Sequence, residues 1–190
     1  MHPRFTMEQL HKVIQISMEW EDAHLHQFIE KGGNTYAHPR VIEHKDIIDE
    51  RYELLESVFA AKGKRIAYEY DFGDSWLHQI EFEDMIESDS FDYPFKSWVK
   101  NGKGVFSGKP RAAICVGGDR SAPPEDCGGI PGFEEILRLA ALPPKSRTTR
   151  DDRERLEWLG DWKPDNFHLD WPNQQLGRMR VKKAFLEKPQ

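Results

Sequence analysis

The chain has 190 residues, which suits one domain of ordinary size, and its 11 Phe, 6 Trp and 5 Tyr provide large side chains for a core. Its formal net charge of −6 argues against general binding to nucleic acid, because the phosphate backbone rewards clustered Lys and Arg. No apolar run approaches the roughly 20 residues that cross a bilayer, which argues against a membrane-spanning helix and predicts a cytosolic location.

A helix is predicted close to the start of the chain. Thr6 is a typical N-cap, and Gln9 three residues later completes a capping box. Apolar residues then recur at helical spacing as far as Met18, so they would lie on one buried stripe. The helix is expected to end between Met18 and Trp20.

A β-hairpin and a second helix are predicted next. Alternation over His24–Ile29 indicates a strand, and the turn at Gly32–Asn34 leads to a short strand around Thr35–Ala37. Apolar residues at helical spacing then predict a helix over about Asp46–Ala61, with Gly63 after it as a natural stop.

The centre of the chain predicts a second β-hairpin. Every second residue is apolar or aromatic in Ile66–Tyr70 and in Trp76–Phe82, which predicts one buried face and one solvated face of an antiparallel sheet. Residues Asp84–Pro110 show no sustained hydrophobic periodicity and are predicted to form a long segment with little regular structure. A further strand is predicted at Ala112–Val116.

Two more helices complete the predicted elements. Pro131 suits the first position of a helix, which is expected to end before Pro143. The pattern of Thr149–Trp162 predicts a second, highly charged helix. Helices and strands do not alternate regularly, so the predicted class is α+β, an antiparallel sheet covered by helices. We expect a single domain over residues 1–190, with a basic tail over about 177–190.

Three histidines are candidate metal ligands. His24 and His26, two residues apart on a predicted strand, would send both imidazoles to the same face. His78 is the best third ligand, because its apolar neighbours in the alternation imply that it also points inward. The alternative is that all three are ordinary core and edge histidines with hydrogen-bond partners.

Four carboxylates in two glycine-containing loops are candidate catalytic residues. Asp71 and Asp74 flank a Phe-Gly pair in a tight turn, and Glu125 and Asp126 stand between two prolines and two glycines. They are candidates for general acid and base chemistry or for binding a hard cation. The alternative is structural: Asp side chains that accept turn hydrogen bonds and an acidic cap for the following helix.

A basic run near the C-terminus is the best candidate for contact with nucleic acid. It contains Arg178, Arg180, Lys182 and Lys183 and has no acidic residue among them. The alternative is a solvated helix face or tail.

Several distinctive blocks, in the same order, resemble the plasmid pRiA ORF-three-like family. The blocks are Leu10-His11-x-x-Ile14-Gln15, Trp20-x-x-x-His24-Leu25-His26-x-Phe28, Tyr68-x-Tyr70-Asp71-Phe72-Gly73-Asp74-x-Trp76-x-His78, Pro123-Pro124-Glu125-Asp126-x-Gly128-Gly129, Asp165-x-Phe167-x-Leu169 and Asn173-x-x-Leu176. The resemblance implies a compact α+β domain of bacteria and archaea, often encoded on plasmids or beside transposable elements. Some members carry a resolvase-like label, but this chain has no serine-recombinase or tyrosine-recombinase signature.

The start of the chain departs from the family pattern. Members typically begin with a strand carrying a Pro-x-x-Trp-Arg-Arg-like segment, whereas this chain starts almost at the first helix. The expected consequence is an open sheet edge, and open edges invite pairing with another chain. A homodimer formed through that edge is therefore predicted.

The sequence and the family resemblance lead to three functional hypotheses. The first is a ligand-binding or partner-binding module associated with plasmids or mobile elements, whose acidic loops and inward histidines build one pocket. The second is a metal-dependent hydrolase, with a divalent metal on the three histidines, Asp71 or Asp74 completing the shell, and Glu125 as general base. The third is a DNA-binding accessory protein of a mobile element, resting on the basic run.

Overall fold

A computed structural model describes residues 1–39, 47–84, 95–100, 103–143, 146 and 149–182, without the side chains of 95–110. Within that part of the chain lie five helices and seven strands. The helices are α1 (Met7–Met18), α2 (Leu55–Val58), α3 (Gly129–Ala141), α4 (Arg150–Leu159) and α5 (Asp170–Leu176). The strands are β1 (His26–Glu30), β2 (Thr35–Ala37), β3 (Ile47–Asp49), β4 (Arg65–Tyr70), β5 (Trp76–Glu81), β6 (Phe95–Lys100) and β7 (Lys103–Arg111).

Five strands form one sheet in the order β3-β2-β1-β4-β5, and β6 and β7 form a separate two-stranded sheet. Strands β1, β2, β4 and β5 pair antiparallel, with His26 opposite Tyr70 and Tyr68 opposite His78. Strand β3 runs parallel to β2. The predicted α+β class is confirmed, and the sheet is mixed rather than purely antiparallel.

The core lies between one face of this sheet and the helices. Alternate residues of β1 and β4 point to the same face, so Phe28, Tyr68 and Tyr70 are buried together. Phe5 and Leu10, from the start of the chain and from α1, belong to the same cluster. Helix α1 also packs against α5, and α3 packs against α4.

Helix α1 has the predicted bounds and the predicted cap. The Thr6 hydroxyl accepts from Gln9 N, and the Gln9 side chain accepts from Thr6 N, which satisfies two donors at the helix start. Glu19, with φ of 57°, caps the C-terminus in the left-handed region.

The predicted helix over Asp46–Ala61 is wrong. Asp46 lies outside the described residues, Ile47–Asp49 pairs with β2, and only Leu55–Val58 is helical. Backbone bonds from Met7 N to Glu53 O and from Leu55 N to Phe5 O tie the intervening segment to the chain before α1. Apolar residues close together in sequence fit a helix or a short buried strand equally well, and pairing with distant residues decided between them.

The prediction of little regular structure over Asp84–Pro110 is wrong for 95–100 and 103–110, because β6 and β7 form an antiparallel hairpin there, and residues 85–94 and 101–102 lie outside the described part of the chain. Two register shifts in this hairpin break the strict alternation by which strands are recognised. The strand predicted at Ala112–Val116 is absent from these residues, which are all described. The backbone of this segment instead bonds to a side chain, since the Cys115 N–H donates to Asn173 Oδ1.

The helices in the last third of the chain agree better with the sequence. Helix α3 ends before Pro143 as predicted, and Pro131 lies in its first turn. Helix α4 begins after Thr149, whose hydroxyl accepts from Asp152 N. None of the helices in the described part of the chain has the length and apolar character of a membrane span.

Candidate metal centre

Two acidic loops meet at one end of the five-stranded sheet. The first acidic loop, residues 71–75, joins β4 to β5, and the second acidic loop, residues 122–129, leads into α3. The Gly128 N–H donates to Asp74 Oδ2 at 3.1 Å. Gly129 has φ of 64°, and a Cβ there would lie 2.7 Å from the Asp74 carbonyl oxygen. A glycine is therefore required where the loops touch.

The first loop holds Asp71 in a defined orientation. Asp71 and Ser75 have φ values of 55° and 53°, in the left-handed region, and the Ser75 N–H donates to the Asp71 carbonyl. Asp71 Oδ1 accepts from Gly73 N at 3.0 Å, which is an Asx turn. This bond occupies one carboxylate oxygen, and the other, Oδ2, faces His24.

His24 completes the group from the other side. Strand β1 begins at His26, so His24 precedes the strand, and the Asp71 N–H donates to Leu25 O beside it. The His24 Nε2 atom lies 3.1 Å from Asp126 Oδ1 and 3.8 Å from Asp71 Oδ2. It is shielded from solvent and has no hydrogen-bond partner of acceptable geometry.

The three side chains have the donor set and spacing of a cation site. One potential ligand atom each from His24, Asp71 and Asp126 lies within 4.8 Å of the others. Metal–ligand bonds of about 2.0–2.2 Å place neighbouring ligands within this range of each other. Imidazole suits Zn²⁺, whereas carboxylates suit Mn²⁺ and Mg²⁺, so the mixed set suits Zn²⁺ or Mn²⁺. Among the described residues, no other group of three such side chains is this close.

Tyr70 connects this group to Glu125. Its hydroxyl accepts from the backbone N–H groups of Ala23 and His24 at 3.1 and 3.4 Å and donates to Glu125 Oε1 at 2.6 Å. Burial, reinforced by the bond to Glu125, raises the pKa of Tyr70 well above its usual range. The Glu21 N–H donates to the same carboxylate oxygen at 3.0 Å. Glu125 is thus held next to Asp126, which follows it in the second acidic loop.

His26, also predicted as a ligand, belongs to a separate buried cluster. Its Nε2 is 2.8 Å from Glu50 Oε2, and its ring stacks on His11 with centroids 3.4 Å apart. His11 bonds in turn to Tyr68 Oη at 2.8 Å and to Asp22 Oδ1 at 2.6 Å. These contacts agree with the alternative of a core histidine with hydrogen-bond partners.

His78 lies in a third environment, next to Trp20 and Tyr68, with ring centroids at 5.5 and 5.9 Å. Its Nε2 is buried and has no hydrogen-bond partner, and burial lowers the pKa of the imidazole. The structure therefore brings His24 together with Asp71 and Asp126, while His26 and His78 have other neighbours. A metal held by all three histidines stays a prediction.

Three of the four basic residues near the C-terminus make bonds within the chain. Arg178 donates to Gln175 Oε1, Arg180 donates to two backbone carbonyls, and Lys182 donates to Glu8 Oε2 at 2.7 Å. Lys183 lies outside the described residues. Their predicted role in binding nucleic acid stays a prediction.

Sequence reasoning did not assign Tyr70 to the site. Its signal in the sequence is the alternation of β4, which indicates a core residue, and it is only 1% exposed. The bonds from its hydroxyl depend on residues 46 to 55 positions away, and no local pattern marks them.

Comparison with known proteins finds one family and relatives whose own functions are not known. The family model described as plasmid pRiA4b ORF-3-like protein matches residues 1–171. A protein of Sinorhizobium fredii named "Uncharacterized protein y4hQ" is 27% identical over 154 residues, covering 81% of this chain and 68% of the relative. The crystal structure of MM3350 from Methanosarcina mazei Go1, a protein of unknown function, superposes with a TM-score of 0.62 and 29% identity. That match covers 88% of this chain and 83% of the other.

Proposed function

We propose that this chain, which belongs to the plasmid pRiA4b ORF-3-like family, is a binding module that holds a divalent metal ion on His24, Asp71 and Asp126. One observation carries the proposal: the buried Nε2 of His24 has no hydrogen-bond partner, although two carboxylate oxygens lie within 3.8 Å. A buried polar atom left unpaired costs free energy, and a cation between the three ligand atoms removes that cost.

Electrostatics supports the same assignment. The two carboxylates repel each other when both are ionised, and a divalent cation turns that repulsion into attraction. The Asx turn of Asp71 also fixes a carboxylate before any ion arrives, which reduces the ordering cost of binding. The proposal retains the predicted idea of one site built from both acidic loops and changes its ligand set.

The test is the metal content of protein purified without an affinity tag or chelator. We expect close to one Zn²⁺ or Mn²⁺ per chain by mass spectrometry. Asp71→Asn and Asp126→Asn are conservative because Asn tolerates the left-handed backbone at both positions, with φ of 55° in each. Each should weaken metal binding at least tenfold in calorimetric titration.

His78→Ala is the matched control, because it removes a half-buried imidazole whose Nε2 is shielded but lies outside the proposed ligand set. The variant should retain the metal of the wild-type protein, whereas His24→Ala should lose it. Metal lost equally from both variants would support the three-histidine site instead. A wild-type protein that neither contains metal nor binds added Zn²⁺ or Mn²⁺ would refute the proposal.

Metal-dependent hydrolysis is a second candidate, favoured by the number of protein ligands. Three protein ligands leave coordination positions open to water, and the Asp126 side chain is 74% exposed. Glu125, held by Tyr70, is the candidate general base. If metal-loaded protein hydrolyses phosphoesters or amides, Glu125→Gln should lower kcat about 100-fold without changing metal content. An unchanged kcat would exclude this base.

A further inference from the structure

A surface cavity of about 570 Å³ lies beside the metal centre. Its walls come from the end of α1 and the residues after it, from residues 115–125, and from the segment 161–168 between α4 and α5. This volume falls within the range of small-molecule sites. Glu125, which neighbours the metal ligand Asp126, is among the lining residues, but none of the three proposed metal ligands is.

Hydrogen bonds between the walls hold the cavity in shape. The Ser121 N–H donates to Pro164 O at 3.0 Å, and the Ser121 hydroxyl donates to the carbonyls of Lys163 and Asn166. The Trp162 indole N–H donates to Ala122 O at 3.0 Å. The chain's own hydrogen bonds therefore tie the two long walls together, so little ordering is needed on binding.

Aromatic side chains line part of the cavity. They are Trp20, Trp162 and Phe167. The indole N–H of Trp20 donates to Pro123 O at 2.8 Å, so the donors of both tryptophans are already used by backbone carbonyls. Phe167 lies directly on Gly118, where a Cβ would come within 2.3 Å of the ring. Trp20 is 7% exposed and stacks on Tyr70, so a ligand would contact mainly the rings of Trp162 and Phe167, which are half-buried, rather than hydrogen-bond to them.

Negative charge predominates among the other lining residues. The basic side chains of the lining are Arg120, Lys163 and His168, and Arg120 lies 3.5 Å from Asp165 Oδ1. Five carboxylates line it: Glu19, Glu21, Asp119, Glu125 and Asp161. The Glu125 carboxylate is further fixed by Tyr70 and by the Glu21 N–H.

We propose that this cavity binds an organic cation, a small molecule or side chain carrying an alkylammonium group. Aromatic faces attract cations through their quadrupole, and nearby carboxylates supply the opposite charge. An alkylammonium group also suits a lining that is partly apolar, because its carbon substituents contact the rings while its charge is neutralised. The proposal needs no metal, so it stands or falls separately from the proposed metal centre.

The test compares choline with its neutral isostere 3,3-dimethyl-1-butanol, in the presence of EDTA. The two probes have the same shape, and only choline is charged. We expect saturable binding of choline by isothermal titration calorimetry, at least tenfold tighter than binding of the alcohol. Higher salt should weaken choline binding, because the carboxylates are partly exposed.

Charge-neutralising variants locate the site. Glu21 and Asp161 are exposed lining residues outside the metal ligand set, so the double variant Glu21→Gln, Asp161→Asn should fold normally and bind choline at least fivefold more weakly. Glu154→Gln with Glu157→Gln, on exposed positions of α4 away from the cavity, is the matched control and should leave the affinity unchanged. Affinities for 3,3-dimethyl-1-butanol should be the same in all three proteins.

Three results would overturn the proposal: no saturable binding of choline, equal affinity for choline and the alcohol, or equal weakening by the control and cavity variants. The use of EDTA keeps these outcomes independent of the metal-content measurement.

Discussion

At the scale of single residues, the environments of His11 and His24 differ in the hydrogen bonds that their ring nitrogen atoms make. Both ring nitrogens of His11 have partners, Tyr68 and Asp22, whereas the shielded Nε2 of His24 has two carboxylate oxygens nearby but makes no hydrogen bond of acceptable geometry. A buried polar atom without a hydrogen bond calls for an explanation, and at His24, unlike at His78, two carboxylates are close enough to bind an ion together with it. This difference is why we assign a metal to His24 and a structural role to His11.

Burial also makes His11 sensitive to pH. Desolvation lowers the pKa of His11, opposed in part by its bond to Asp22, and the facing imidazole of His26 lowers it further. In the unfolded chain the same imidazole titrates near 6.5. Between that value and the lower folded pKa, the unfolded state binds more protons, so the free energy of unfolding falls as pH falls.

We therefore predict that the protein loses stability when the pH is lowered from 7 to 5. Each imidazole that stays neutral in the fold contributes a slope of at most about 1.4 kcal/mol per pH unit. His11→Asn should flatten the slope measured by urea unfolding. His168→Asn, at an exposed position, is the control and should leave it unchanged. An identical slope in the wild-type protein and His11→Asn would show that His11 is not responsible.

At the scale of elements, the segment after β7 is held by a side chain of α5 instead of by a neighbouring strand. The Asn173 side chain, 5% exposed, accepts from Cys115 N at 3.0 Å and donates to Cys115 O at 2.8 Å. One side chain thus makes the pair of bonds that a neighbouring strand would make. The segment is buried at Ala112 and Ala113 and belongs to no sheet among the described residues.

Asn173→Ala should lower the free energy of unfolding by about 2–3 kcal/mol. The substitution removes the partners of the N–H and C=O of half-buried Cys115, and each such group costs about 1–3 kcal/mol when fully buried and less where water can reach it. The measurement is urea denaturation followed by circular dichroism. Gln174→Ala, at the exposed next position of the same helix, should change stability by less than about 0.5 kcal/mol. Equal losses in both variants would mean that only helix propensity was changed.

At the scale of the whole molecule, the proposed metal ties together segments far apart in the chain. His24 precedes β1, Asp71 follows β4, and Asp126 precedes α3, so one ion would bridge both acidic loops and the sheet. A ligand that binds only the folded state stabilises all the elements it connects. In the part of the chain that is described, β3 and β5 end the sheet, and the predicted homodimer through an open edge stays a prediction.

Metal binding should consequently raise the Tm of the whole domain. At one hundred times Kd, a single ion stabilises the fold by about 2.7 kcal/mol. For a chain of this size that corresponds to about 5–10 °C. Differential scanning fluorimetry with added Mn²⁺ or Zn²⁺ should show this shift for the wild-type protein and little shift for Asp126→Asn. A similar shift in both proteins would place the ion elsewhere.

The sequence by itself determined the elements whose signals are local. The capping box of α1, the Gly-Gly-Asn turn between β1 and β2, and the alternation of β4 and β5 depend on neighbouring residues, and the structure contains all of these elements. The acidic character of the two loops is likewise evident from the sequence alone. The family resemblance rested on the same short blocks and is confirmed.

Only the tertiary structure decided which residues meet. Ile47–Asp49 became a strand because β2 offered a partner, and the β6–β7 hairpin was hidden by register shifts that disturb its alternation. His24 was separated from His26 because β1 starts between them, and Asp71 and Asp126, 55 positions apart, converged on it. Side-chain type and spacing state what chemistry a residue offers, but contacts across long sequence separations depend on packing that no local pattern encodes.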